Sequence, residues 1–146
     1  MEIKKWADKI KGNVNSVIYD KEKVTEKLLV SILCRGHALI EDVPGVGKTV
    51  IAKALAQSLG GRFQRVQCTP DLLPADILGV SIYNEKTMNF DFQDGPIMTN
   101  VLLVDEINRA TPRTQSALLE AMEEGKISVE GTTRELPDPF FLLATE

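Results

Sequence analysis

The chain has 146 residues, 43% of them hydrophobic and 26% charged, which fits one globular core and excludes two independent domains. With 17 Lys and Arg against 21 Asp and Glu the net charge is −4, so a strongly basic face for nucleic acid is not the expected surface. No apolar run approaches the roughly 18 residues of a membrane span, and MEIKKWADKIKG lacks the apolar stretch of a secretory signal, so a cytoplasmic location is expected.

In chain order, Ile3, Trp6, Ala7 and Ile10 recur at helical spacing, and Gly12 is expected to end that helix. Asp20 reads as the N-cap of a second helix, which carries Val24, Leu28, Leu29, Ile32 and Leu33 and stops at Gly36. HALIE is a short buried strand. The loop EDVPGVGKT follows, then a helix with a stripe of Val50, Ile51, Ala54, Leu55 and Leu59 that ends at Gly60 and Gly61. RFQRVQC is a second strand, and Pro70 and Pro74 limit TPDLLPADILG to short helical turns.

VSIYNEKTMNFDFQDGP alternates apolar and polar residues about NEKTMN, as a β-hairpin does. NVLLVDE is the continuous apolar run of a strand buried on both faces. Thr111 as N-cap, Pro112 at the first position and Gly125 past the end bracket a helix that buries Ala117, Leu118, Ala121 and Met122. KISVEGTTRELPDP is a second hairpin and FFLLATE a last buried strand. Strands alternating with helices predict an α/β fold with a mainly parallel sheet. Cys34 and Cys68 have no C-x-x-C spacing or neighbouring His and read as reduced core thiols; His37 reads as structural.

The loop between strand and helix ends in G-K-T, as a phosphate-binding loop does, but Asp42 stands where the pattern begins with glycine. Backbone N–H groups of such a turn curl around phosphates, and the next helix aims its positive end at them. Asp42 sits at the strand exit, away from those amides, and Asp tolerates unusual φ, so the substitution leaves the cradle intact. Pro44, Gly45, Val46, Gly47, Lys48, Thr49 and Val50 are the expected nucleotide-binding run. Lys48 would neutralise the β- and γ-phosphates, and the Thr49 hydroxyl would ligate Mg2+.

VLLVDE places Asp105 and Glu106 at the carboxyl end of a strand, where ligands bind in open α/β sheets. Asp105 would hold Mg2+ through water, opposite Thr49, and Glu106 would polarise the attacking water. Glu106 and Lys48 are therefore the expected catalytic residues, Thr49 and Asp105 the metal residues, and ATP with Mg2+ the cofactors. The chain has no N-K-x-D motif to read guanine, and Glu106 is placed to activate water rather than a substrate hydroxyl.

EDVPGVGKT, TPDLLPADILG, DFQDGPI, LLVDEINRATPRTQSALLEAMEEGKI and FFLLATE together resemble a MoxR-type AAA+ ATPase, from about Ile18 onward. The resemblance implies an ATP-hydrolysing protomer of a ring homo-oligomer, usually a hexamer, with a chaperone-like role on protein clients. It also implies work with proteins that carry von Willebrand factor A domains. Ile18 and Tyr19 match the region beside adenine, and Gln67 the polar residue that can restrain the catalytic glutamate. Arg109 and Arg113 are placed to reach a neighbouring subunit. The two hairpins correspond to elements that face the pore or client, which makes Tyr83, Phe90 and Phe92 expected client contacts.

The resemblance further implies a sheet in the order 2-3-4-1, with a fifth strand of the family, the lid, the arginine finger and both sensors beyond Glu146. Residues 1–146 are thus expected to form an incomplete nucleotide-binding domain, with HALIE at a sheet edge that invites pairing with another chain. Hydrolysis by these residues alone is expected to be very slow, since an arginine finger contributes about 10³–10⁵ in rate. Two other functions stay open: a non-hydrolysing nucleotide-binding regulatory module, and a DNA-directed AAA+ motor, which the acidic balance disfavours.

Overall fold

The computed structural model describes residues 2–41 and 47–146. A four-stranded parallel sheet is built from β1 (Ala38–Ile40), β2 (Phe63–Gln67), β5 (Val101–Asp105) and β8 (Phe141–Thr145), in the order β1-β8-β5-β2. This is the order that the family resemblance implies, with β1 on the outside.

Strand alternation decides what each face covers. Val101 and Leu103 of β5, with Phe141 and Leu143 of β8, join one buried cluster with Ile10, Leu29, Ile51 and Leu55. That cluster lies under α1 (Glu2–Asn15), α2 (Glu22–Leu33) and α3 (Lys48–Ser58). Leu102 and Val104, with Leu142 and Ala144, face the opposite way and pack with Ile77, Leu118, Ala121 and Ile127. Those residues come from α4 (Pro74–Leu78), α5 (Pro112–Glu124) and the strand β6 (Lys126–Val129). The two central strands are buried at every position, as their unbroken apolar sequences require.

Both expected hairpins form: β3 (Gly79–Asn84) with β4 (Asn89–Asp94), and β6 with β7 (Thr132–Glu135). Thr111 caps α5 by accepting from the Thr114 amide at 3.3 Å, Pro112 opens it, and Gly125 closes it at φ 65°.

Five expectations are corrected. HALIE is not a buried strand: β1 lies at the sheet edge with Leu39 exposed and Ala38 and Ile40 only partly buried. Gly12 does not end α1; the helix runs to Asn15, which buries Val14 completely in the core. Asp20 is not an N-cap: it adopts φ 62°, outside the extended conformation of a capping residue, and Lys21 stands at the N-cap without a side-chain cap bond. Leu33 and Val50 fall on the outer faces of their helices, 48% and 41% exposed. Cys34 is exposed at the end of α2, so only Cys68 is a core thiol.

Candidate functional site

All four strands of the sheet run the same way, so their carboxyl ends share one edge. Register sets the row of residues there. Ile40 stands opposite Thr145, and Gln67 opposite Asp105. By alternation from Leu103 and Leu143, Asp105 and Thr145 lie on the face that α3 covers, and α3 starts at Lys48 and Thr49. Gly47 precedes that helix at φ 76°, a left-handed conformation that favours glycine.

Asp105 is 9% exposed, and both of its oxygens are engaged. Oδ1 accepts from the Thr145 hydroxyl at 3.1 Å, and Oδ2 accepts from Arg65 Nε at 2.6 Å. The same Thr145 oxygen accepts the Glu106 amide at 3.1 Å. One buried hydroxyl therefore fixes the Asp105 carboxylate and the backbone of the next acidic residue together. Glu106 leaves the strand at φ 53° and ψ 52°, a conformation that costs about 1–3 kcal/mol for a residue with a side chain, here a carboxylate. That carboxylate accepts from Arg109 at 3.1 Å, across the 3-10 turn Ile107–Arg109.

Cys68 follows β2, and its amide donates to the Asp105 carbonyl at 2.9 Å. Burial pushes its thiol up, with the negative charges of Asp105 and Glu106 adding to the effect, so this sulfur stays a protonated packing group rather than a nucleophile. His37 is structural, as expected. Its Nδ1 accepts from the Leu142 amide at 3.0 Å, which leaves Nε2 to donate to the Met122 carbonyl at 3.2 Å.

The remaining expected residues are distributed as follows. Pro44, Gly45 and Val46, with Asp42, lie outside the described residues. Lys48 and Thr49 form the first turn of α3 and are partly buried; Val50 points outward. Ile18 packs beside this turn: a Cβ placed on Gly47 would lie 3.4 Å from Ile18 Cδ1, whereas Tyr19 is 94% exposed. Gln67 accepts from the Arg65 guanidinium at 3.2 Å. Arg109 is paired within the chain, and Arg113 lies exposed on the first turn of α5.

Tyr83 and Phe90 are exposed on the first hairpin, packed edge to face at 5.4 Å. Phe92 turns inward instead, half-buried against the second core cluster with the Arg134 guanidinium 3.8 Å over its ring.

Two residues at the edge were not singled out from sequence: Thr145 and Arg65. Their signal was positional. Thr145 ends a strand whose pairing with β5 aligns it with Asp105, and Arg65 lies two residues before Gln67 on the same face.

A profile described as "ATPase family associated with various cellular activities (AAA)" matches residues 37–146. The chain belongs to this AAA family, in its MoxR-type branch. It is 57% identical over 134 residues to the uncharacterized protein YeaC of Bacillus subtilis, covering 92% of this chain and 42% of YeaC. It is 46% identical over 133 residues to chaperone MoxR1 of Mycobacterium tuberculosis, covering 91% of this chain and 35% of MoxR1. A crystal structure from Cytophaga hutchinsonii, described as that of a candidate ATPase, superposes with a TM-score of 0.85 at 39% identity, over 99% of this chain and 44% of that one. The AAA chain described here thus spans less than half the length of these relatives. No helix among the described residues is long and apolar enough to cross a membrane.

Proposed function

We propose that this edge binds ATP with Mg2+ and that the protein hydrolyses it. The observation that carries the reading is the buried Asp105 carboxylate, fixed by Thr145 on the sheet face that α3 covers with its Lys48–Thr49 end. The donor set suits magnesium, a hard cation that takes one or two protein oxygens and completes its shell with water and phosphate. Asp105 and Thr49 would hold the ion, which would neutralise charge on the phosphates. Lys48 and the amides at the start of α3 would bind the phosphates themselves, with Ile18 packed beside that turn.

Glu106 is the residue for orienting water: its carboxylate accepts from Arg109, whereas that of Asp105 accepts from Thr145 and Arg65, so the two acids can take separate roles. Within the longer protein we expect a ring of such subunits, with chaperone-like work on protein clients, in the cytoplasm, and a partner bearing a von Willebrand factor A domain. Similarity to chaperone MoxR1 supports the chaperone-like part. The exposed pair Tyr83 and Phe90 is the proposed client contact, and Gln67 and Arg113 keep their proposed switch and inter-subunit roles.

Phosphate release by the protein and by its Glu106→Gln variant tests hydrolysis. A loss of about 10²–10⁴-fold in the variant is expected for a residue that handles the proton of water. Equal release in both would mean that Glu106 is not the base.

A further inference from the structure

Two contacts on Asp105 among the described residues differ in kind. Thr145 is a buried, neutral hydroxyl, whereas Arg65 is a cation whose side chain is 50% exposed on the neighbouring strand. Register explains the reach. Arg65 stands opposite Leu103 and Gln67 opposite Asp105, on one face, so the Arg65 side chain needs only to lean along β2 toward the edge. There its Nε donates to Asp105 Oδ2 and a terminal nitrogen donates to Gln67 Oε1, so the guanidinium is held between two edge residues.

We propose that Arg65 is a positioning residue that acts as an internal counter-cation to Asp105, competing with Mg2+ for Oδ2. The proposal rests on Asp105 being the magnesium-side carboxylate, as argued above. A guanidinium and a hydrated magnesium ion both address a carboxylate by donating hydrogen bonds, and two cations at one oxygen repel each other. The arginine therefore has to give ground when the metal arrives with nucleotide.

Its grip suits that exchange. A half-exposed ion pair is weak, because water screens it and the long side chain has freedom to lose. Gln67 gives the displaced guanidinium a partner on its own strand, so the arginine need not leave the edge altogether. Without such a cation, this mostly buried carboxylate would lose a charged donor while keeping the neutral Thr145 hydroxyl. Arg65 thus both holds Asp105 in place and sets how much Mg2+ is needed to take it over.

The test is binding of N-methylanthraniloyl-ATP by the protein, followed by fluorescence as Mg2+ is titrated, for wild type, Arg65→Gln, Arg65→Lys and Asp105→Asn. Arg65→Gln is expected to lower the half-saturating Mg2+ concentration about two- to fivefold, the scale of a half-exposed ion pair. Arg65→Lys, which keeps the charge but loses the fork, is expected to fall between. Binding in excess EDTA is expected to be the same in wild type and both Arg65 variants.

An unchanged or raised midpoint in Arg65→Gln, with the thermal midpoint preserved, overturns the proposal. So does weaker binding in EDTA, which would make Arg65 a phosphate contact. Should Asp105→Asn leave the Mg2+ dependence untouched, the reading of Asp105 itself fails and takes the proposal with it.

Discussion

Arg109 Nη1 lies 3.1 Å from Glu106 Oε2, three residues away along the chain. The guanidinium that the sequence suggested for a neighbouring subunit is therefore in contact with the proposed base of its own chain. Both side chains are about half exposed, 52% and 49%, so the pair contributes at most about 1 kcal/mol to folding. Its effect should appear in rate. Arg109→Ala is expected to raise basal phosphate release roughly two- to fivefold by freeing Glu106, with a thermal midpoint within a few degrees of wild type. In a Glu106→Gln background the same substitution should do nothing. A fall in rate that deepens on dilution would instead assign Arg109 to a contact between subunits.

Thr145→Val keeps the shape of the side chain and removes its hydroxyl. Asp105 Oδ1 and the Glu106 amide then lose a partner together, in a buried setting. The expected cost is about 1–3 kcal/mol, read as a drop in the thermal midpoint, with Thr145→Ser close to wild type. A valine variant as stable as wild type would show that this hydroxyl does not tie the two strands together.

His37 predicts a pH dependence. Burial lowers its pKa below 6.5, with the Met122 carbonyl opposing in part. A depressed folded-state pKa means that the unfolded chain takes up the proton first as pH falls, so stability rises with pH in this window. The His37 contribution should be complete above about pH 6.5 and shrink on acidification through the folded value, as protonation removes the acceptor for the Leu142 amide. Thermal midpoints measured from pH 7.5 to 5 should fall less steeply in His37→Gln than in wild type. Parallel slopes would rule His37 out as the source.

Gly95 and Gly79 meet at the base of the first hairpin. A Cβ on Gly95 would collide with the Ile77 carbonyl and the Gly79 amide, which are backbone atoms with little freedom to retreat. Gly95→Ala is expected to cost about 1–3 kcal/mol or more by chemical denaturation. Gly12→Ala, with nothing near the added carbon inside α1, should be neutral or stabilising.

Much of this was legible in the residues themselves. The unbroken apolar runs of β5 and β8, and the Thr111, Pro112 and Gly125 signals around α5, are local and strong, and each appears where expected. Acidic residues at a strand end were legible for the same reason. Gly12 misled because a helix interior tolerates a glycine when the next turn still buries a Val14. Asp20 misled because capping depends on backbone conformation, which a single residue type does not determine. Arg65 and Thr145 were silent because their partner is some forty positions away in the chain, 40 residues in each case, and only register brings them to Asp105.

The central claim is that one magnesium-bound triphosphate lies between the start of α3 and Asp105. Calorimetric titration of the protein with ATP, with Mg2+ and with excess EDTA, tests it most directly when wild type is set beside Lys48→Ala and Asp105→Asn. The account predicts saturable binding strengthened by Mg2+ in wild type, severe weakening in Lys48→Ala, and loss of the magnesium enhancement in Asp105→Asn. Binding that all three proteins share, with the same response to magnesium, would contradict it.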